Sequence, residues 1–206
     1  MAEGKQDLIA SPQGLKAETV SNNGLDFLIN KKILYHGSST QGITSFTPAE
    51  EDTVGSGIYF TSEAKGAIGY ARRRSRSRQN SVPILYETQI ENLRLANLRN
   101  DESVKQLLEG FKEILKKELS NPDIKWHYQE ALRRSIDAIN QGKIGCGNLR
   151  EATFAHTDKF TRYLESLGYD GLVTFEGGEG EDIGVHDTYL IFDPKKVKIT
   201  KEHKIT

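Results

Sequence analysis

Lys32-Ile33-Leu34-Tyr35-His36-Gly37 and Gly55-Ser56-Gly57-Ile58-Tyr59-Phe60-Thr61 are two β-rich runs, the first ended by a glycine and the second entered through two. Each reads as a short strand. The period then changes. Ala64, Ala67, Ile68 and Ala71 fall at helical spacing, which predicts a helix from Glu63 to about Arg74 that buries a face of small residues. Thr61 or Ser62 can cap it, and Glu63 lies in the first turn, where the helix dipole favours an acid.

Further along the chain, Val82 to Thr88 resumes strand character, with Pro83 at its start or on an edge. Residues 101–141 form a helical block. Val104, Leu107, Leu108, Phe111, Ile114, Leu115 and Leu119 keep the i, i+3, i+4 pattern, Asn121-Pro122 ends that helix, and residues 126–139 supply a second. Residues 150–167 read as a third helix, closed by Gly168. Leu172-Val173-Thr174-Phe175 is a strand, residues 177–184 a Gly/Glu-rich loop, residues 187–192 the last clear strand, and Val197-Lys198-Ile199 a short extended tail. Strands, then helices, then strands, without βαβ alternation, imply an α+β fold with a split, mostly antiparallel sheet. Residues 1–24 are polar and without periodicity and read as a flexible tail. That leaves one domain over 25–206, with a helical insertion at about 101–141.

The chain has 206 residues, 36% of them hydrophobic, and a net charge of −1. One domain fits this length. No global field selects nucleic acid or an acidic membrane. The single cysteine, Cys146, excludes an internal disulfide and stands between glycines with no catalytic neighbours in sequence. No run approaches the ~20 apolar residues of a membrane span, and the N-terminus lacks the pattern of a signal peptide. The expectation is a protein of the cytoplasm, or one secreted into a host cell without that signal, and no membrane partner.

The chemistry gathers around the first two strands. His36 stands beside Gly37, whose lack of a Cβ lets a flat ligand approach the backbone. Tyr59 follows two small residues, and Tyr70 lies on the helix beyond it. Tyrosine rings are stacking platforms for a heteroaromatic ring. These same residues also read as ordinary strand positions and glycine turns.

The segments LYHGSS (34–39), GSGIYFTSEAKGAIGYA (55–71) and YLIFDP (189–194) resemble the three-motif pattern of the ADP-ribosyltransferase superfamily, in its diphtheria-toxin-like and poly(ADP-ribose) polymerase-like branch with a His, Tyr and Glu triad. The branch with Arg, Ser and Glu fits badly, because the first strand offers His36. The step Gly168-Tyr169-Asp170-Gly171 is similar to one in small bacterial and phage ADP-ribosyltransferase domains. The resemblance covers roughly 32–95 and 150–200. The helical block between has no counterpart in it, which leaves a lid, a partner-binding arm or a regulatory cover open. The resemblance implies NAD as co-substrate, with no metal. His36 matches the histidine that hydrogen-bonds the adenosine ribose, and Gly37 the glycine whose backbone clamps the nicotinamide carboxamide, with Ser38 following. Tyr59 matches the tyrosine lining the nicotinamide pocket and Phe60 adjoins it in the cofactor-binding set. Tyr70 matches the tyrosine that stacks on the ring. Ala67 stands where many members have a serine.

The third motif departs from the pattern. Thr188 occupies the glutamate position and Asp187 lies one residue early. Neighbouring strand residues face opposite ways, so both cannot enter one cleft without a bulge. The glutamate matters because cleavage of the nicotinamide bond builds positive charge on the ribose, which a carboxylate on the 2′-hydroxyl stabilises. Asp187, Glu179 or Glu181 in the preceding loop, or a carboxylate of the acceptor, could replace it. The resemblance therefore implies a mono-transferase acting on a macromolecular acceptor, with protein favoured, as a bacterial effector, toxin or phage factor. Transfer to nucleic acid and an inactive NAD-binding module are the alternatives.

Three other features admit two readings each. The acidic glycine loop over 176–182 reads as solvated chain or as an acceptor-recognition loop. The run 72–78 (Arg72, Arg73, Arg74, Arg76 and Arg78) reads as solvated surface, or as a phosphate- or nucleic-acid-binding edge. His127, His156, His186 and His203 have no metal-ligand spacing and read as core or surface histidines.

Overall fold

A computed structural model describes residues 18–20, 24–49, 54–77, 81–176 and 185–206. The strands are β1 (Glu18–Val20), β2 (Asp26–Ser38), β3 (Ile58–Thr61), β4 (Ile84–Asn97), β5 (Gly171–Glu176), β6 (His186–Ile191) and β7 (Val197–Lys204). The helices are α1 (Ala64–Arg76), α2 (Asp101–Leu119), α3 (Trp126–Asn140), α4 (Arg150–Thr153) and α5 (Thr157–Ser166). The fold is α+β, as the order of sequence patterns implied. Most of the expected tail lies outside the described residues, but Glu18–Val20 adds a strand antiparallel to β2.

The sheet runs β1-β2-β3-β6-β5-β4-β7, and β2 also pairs with β4. β2, β3, β6, β5 and β4 therefore close a ring. All pairings are antiparallel except β4 with β5. The ring is uneven. β2 and β4 pair over most of their lengths, whereas β2 meets β3 at the single pair Tyr35↔Thr61. That weak seam is where the sheet is split.

Strand alternation sorts the core into two faces. Leu172 and Leu190 join the cluster built by the helices, with Val104, Leu108, Phe111, Leu115 and Phe160. Val173, Tyr189 and Ile191 turn the other way, to Phe27, Leu34, Phe60, Ile84 and Tyr86. The expected apolar stripe of α2 is the buried one. Its start is fixed by Asn100, whose side chain accepts the Ser103 N–H at 2.8 Å, and acidic and basic residues flank its two ends in the favourable sense. Phe111 meets Phe160 edge-on at 5.0 Å between ring centroids.

The helix expected over 150–167 is instead interrupted. α4 ends at Thr153, a single 3-10 turn spans Phe154–His156, and α5 begins at Thr157. His156 leaves helical geometry (φ −143°, ψ 27°) and is buried, with Nδ1 3.3 Å from the Tyr128 hydroxyl of α3. His156 keeps the helical spacing of the buried residues Ala152, Thr153, Phe160 and Leu164, so the buried stripe continues through the interruption.

The Gly-Tyr-Asp-Gly step proves to be structural. Gly168 closes α5 at φ +81°, a conformation open to glycine. Tyr169 is buried under the Arg94 guanidinium, 4.6 Å from its ring centroid. Asp170 accepts the Arg94 N–H at 2.8 Å. A Cβ on Gly171 would come within 2.2 Å of the Leu190 carbonyl oxygen, so β5 and β6 can approach only with glycine there.

Candidate active site

A cavity of about 890 Å³ opens at the seam. The end of β2, β3, α1, the end of β5, β6 and the segment before α4 all line it.

His36 holds the seam together. Its Nδ1 lies 2.8 Å from the Tyr59 carbonyl oxygen. A carbonyl can only accept, so Nδ1 carries the proton and, in the neutral ring, Nε2 remains an acceptor. Burial lowers the pKa of His36. The bond to Tyr59 opposes this, and the nearby charge of Arg74 lowers it further. The ring packs 4.8 Å from Phe46 and 5.7 Å from Phe60 between centroids. Phe60 is buried, supports the histidine and also lines the cavity.

Gly37 lines the cavity where the β2–β3 ladder has parted. Its glycine identity is dictated by α1, because a Cβ would lie 2.0 Å from the Ala67 carbonyl oxygen and 2.8 Å from the Ala71 nitrogen. Ala67 is buried at that contact. Ser38 faces its own turn, where its hydroxyl accepts the Thr40 N–H at 3.0 Å.

The Tyr59 hydroxyl donates to the Gly55 carbonyl at 2.9 Å and accepts the N–H groups of Val54 and Gly55, both at 3.2 Å. This pins the glycine entry to β3 and presents the ring, rather than the hydroxyl, to the cavity. Tyr70 faces it from α1, with the Arg73 guanidinium 4.8 Å from its ring centroid and the His186 ring 5.9 Å away. Arg73 and Arg74 of the basic run and Arg150 of α4 line the cavity, and the Arg150 guanidinium lies 4.6 Å from the Phe154 ring centroid.

β6 separates the two third-motif candidates. Asp187 pairs with Arg99 at 3.0 Å and is not on the wall; Arg99 in turn lies over Phe27, 4.5 Å from its centroid. The alternation is intact and no bulge turns Asp187 inward. Thr188 is buried, lines the cavity, and donates from Oγ1 to Glu176 Oε2 at 3.2 Å. Glu179 and Glu181, with most of the acidic loop, lie outside the described residues, as does Arg78.

Two charged wall residues, Glu176 and Arg150, lie outside the sequence motifs. Glu176 was grouped with the loop, yet it is the last residue of β5. Tyr70 as well as Thr188 donates to its Oε2, also at 3.2 Å. Arg150 was read only as the start of a helix. For Glu176 a signal existed, since the β5 pattern extends one residue beyond Phe175. Nothing local marks Arg150.

Residues 30–206 match the family described as ADP-ribosyltransferase in polyvalent proteins. The chain belongs to this family. The match runs through the helical block. Among solved structures, the M. tuberculosis MbcT–MbcA toxin–antitoxin complex is similar at 10% identity and a TM-score of 0.44, over 87% of each chain. No curated protein matches the sequence.

Cys146 is on the cavity wall, but burial and the Asp101 carboxylate push its thiol up, away from the thiolate a nucleophile requires. Among the described residues no three His, Cys, Asp or Glu side chains group as metal ligands, and no helix is long and apolar enough to cross a membrane.

Proposed function

We propose that the chain is an NAD-dependent mono-ADP-ribosyltransferase that modifies a protein acceptor and releases nicotinamide. The observation that carries this is the seam itself. The motif residues His36, Gly37, Tyr59 and Tyr70 converge on one cavity beside three arginines. In the bound state the His36 Nε2 acceptor takes a ribose hydroxyl. The Tyr59 and Tyr70 rings flank the nicotinamide and the Gly37 backbone meets its carboxamide. Arg73, Arg74 and Arg150 neutralise the pyrophosphate. In the reaction the bond between ribose C1′ and the nicotinamide nitrogen breaks, its electron pair leaves with nicotinamide, and an acceptor nucleophile bonds C1′.

Part of the basic run is engaged at the cavity, which supports cofactor binding over a separate nucleic-acid edge. Labelled NAD⁺ incubated with the chain and a lysate tests the acceptor: label released by protease supports a protein, and label released by nuclease supports the alternative. His36→Ala and Tyr59→Ala are each expected to lower NAD⁺ affinity or transfer at least tenfold, about 1.4 kcal/mol. Calorimetric titration with NAD⁺ and release of nicotinamide are the measurements. Wild-type values in both variants would remove the site assignment.

A further inference from the structure

The third motif lacks its glutamate, yet the cavity does not lack a carboxylate. We infer that Glu176, delivered from β5, is the catalytic carboxylate of this domain, acting where the family pattern would place a glutamate at position 188. The inference rests on the ADP-ribosyltransferase reading above.

The register supplies the placement. Thr188 pairs with Thr174, and His186 pairs with Glu176. Residues 174, 176, 186 and 188 therefore share one face, and Glu176 is the diagonal neighbour of Thr188. Adjacent strands lie about 4.8 Å apart, and long side chains reach diagonal positions. Glu176 crosses that gap. Its Oε2 accepts the hydroxyls of Thr188 and Tyr70, each at 3.2 Å. Thr188 thus marks the root of the usual side chain, and the Glu176 carboxylate sits where that side chain would end. Tyr70 orients it from the opposite wall. The other described candidate, Asp187, is held by Arg99 away from the cavity.

This position suits the reaction. Nicotinamide departs with the bonding pair, and positive charge spreads over C1′ and the ring oxygen. Glu176 accepts the ribose 2′-hydroxyl and stabilises that charge at short range in a cavity that limits screening. The acceptor's nucleophile then bonds C1′, and its proton passes to Glu176 and on to solvent. With water as acceptor the products are ADP-ribose, nicotinamide and a proton. Threonine at 188 leaves room for a carboxylate entering from the side.

The test uses the full chain, NAD⁺ titration and nicotinamide release, with circular dichroism to check folding. Glu176→Gln is expected to keep the NAD⁺ Kd within threefold and lose at least 100-fold in nicotinamide release. Adding Thr188→Glu, which returns the carboxylate to β6, is expected to regain at least tenfold over Glu176→Gln alone. A Glu176→Gln variant within threefold of the wild-type rate would overturn the inference while leaving the transferase reading intact. So would a loss matched by an equal loss of NAD⁺ binding and not regained in the double variant, because it would make Glu176 a structural residue. A wild-type chain that binds NAD⁺ without cleaving it also overturns the inference. One that does not bind NAD⁺ overturns the transferase reading itself.

Discussion

Gly37 is subject to two demands at once. It lines the cavity through its backbone, and it lets α1 lie against β2 so closely that a Cβ would fall 2.0 Å from the Ala67 carbonyl oxygen. Backbone cannot yield as a side-chain tip can. Gly37→Ala must therefore displace α1 and with it Tyr70. Overpacking of this kind costs about 1–3 kcal/mol, and we expect a lower urea midpoint at unchanged m-value together with weaker NAD⁺ binding. Asp187 makes the opposite case. Its partner is Arg99, away from the cavity, and both side chains keep some exposure. Asp187→Asn is expected to cost no more than about 1 kcal/mol and to leave nicotinamide release unchanged; a loss of release would place the carboxylate back in the site. At this scale the motifs name residues that the fold brings to one cavity, as with His36, Tyr59 and Tyr70. At Glu176 the sequence offers only the length of β5; that its carboxylate meets Thr188 depends on a cross-strand register that no local pattern encodes.

Elements were legible wherever one periodicity ruled. The stripe of α2 and the small-residue face of α1 are both the buried faces. The segment 150–167 keeps one buried stripe through its 3-10 turn, so the apolar period shows the buried face, His156 included, and not the interruption. That burial has a measurable cost. Desolvation lowers the pKa of His156, with Lys159 adding to the effect and a backbone bond at Ala131 and the Glu118 charge opposing it. His36 is lowered as well, chiefly by burial. For a ring whose folded pKa is depressed, both states are neutral above the ordinary value near 6.5, and nothing is lost there. As pH falls through that value the unfolded chain takes up a proton that the folded chain refuses, and stability declines until the folded ring also protonates. The melting temperature is therefore expected to fall between pH 7.5 and 5.5. His156→Gln should flatten that slope. A slope equal to the wild type would mean that His156 does not carry it.

At the scale of the molecule, the cavity exists because the ring of strands closes badly. One residue pair and one imidazole span the β2–β3 seam, and the ligand face opens where the ladder fails. The helical block bears on this architecture from one side. Its sequence left open whether it was a lid, an arm or a cover, since an amphipathic pattern reveals a buried face without naming what buries it. The structure sets Phe111 against Phe160 and puts both in the cluster with Leu172 and Leu190 of the sheet. The chain leaving the block then supplies Cys146, Gly147, Leu149 and Arg150 to the cavity wall. A lid would unfold on its own; a block that shares the core with β5 and β6 cannot. Phe111→Ala removes a fully buried ring and is expected to cost about 3–5 kcal/mol, a large part of the roughly 5–15 kcal/mol that holds a domain together. Urea unfolding of the wild type followed by far-ultraviolet circular dichroism and by tyrosine near-ultraviolet signals should show one shared midpoint, and the variant should show one shared, lower midpoint. Two separated transitions, with only the helical signal moved by Phe111→Ala, would make the block an appended unit after all. The same shift in both signals would tie the integrity of the cavity to a phenylalanine that does not line it.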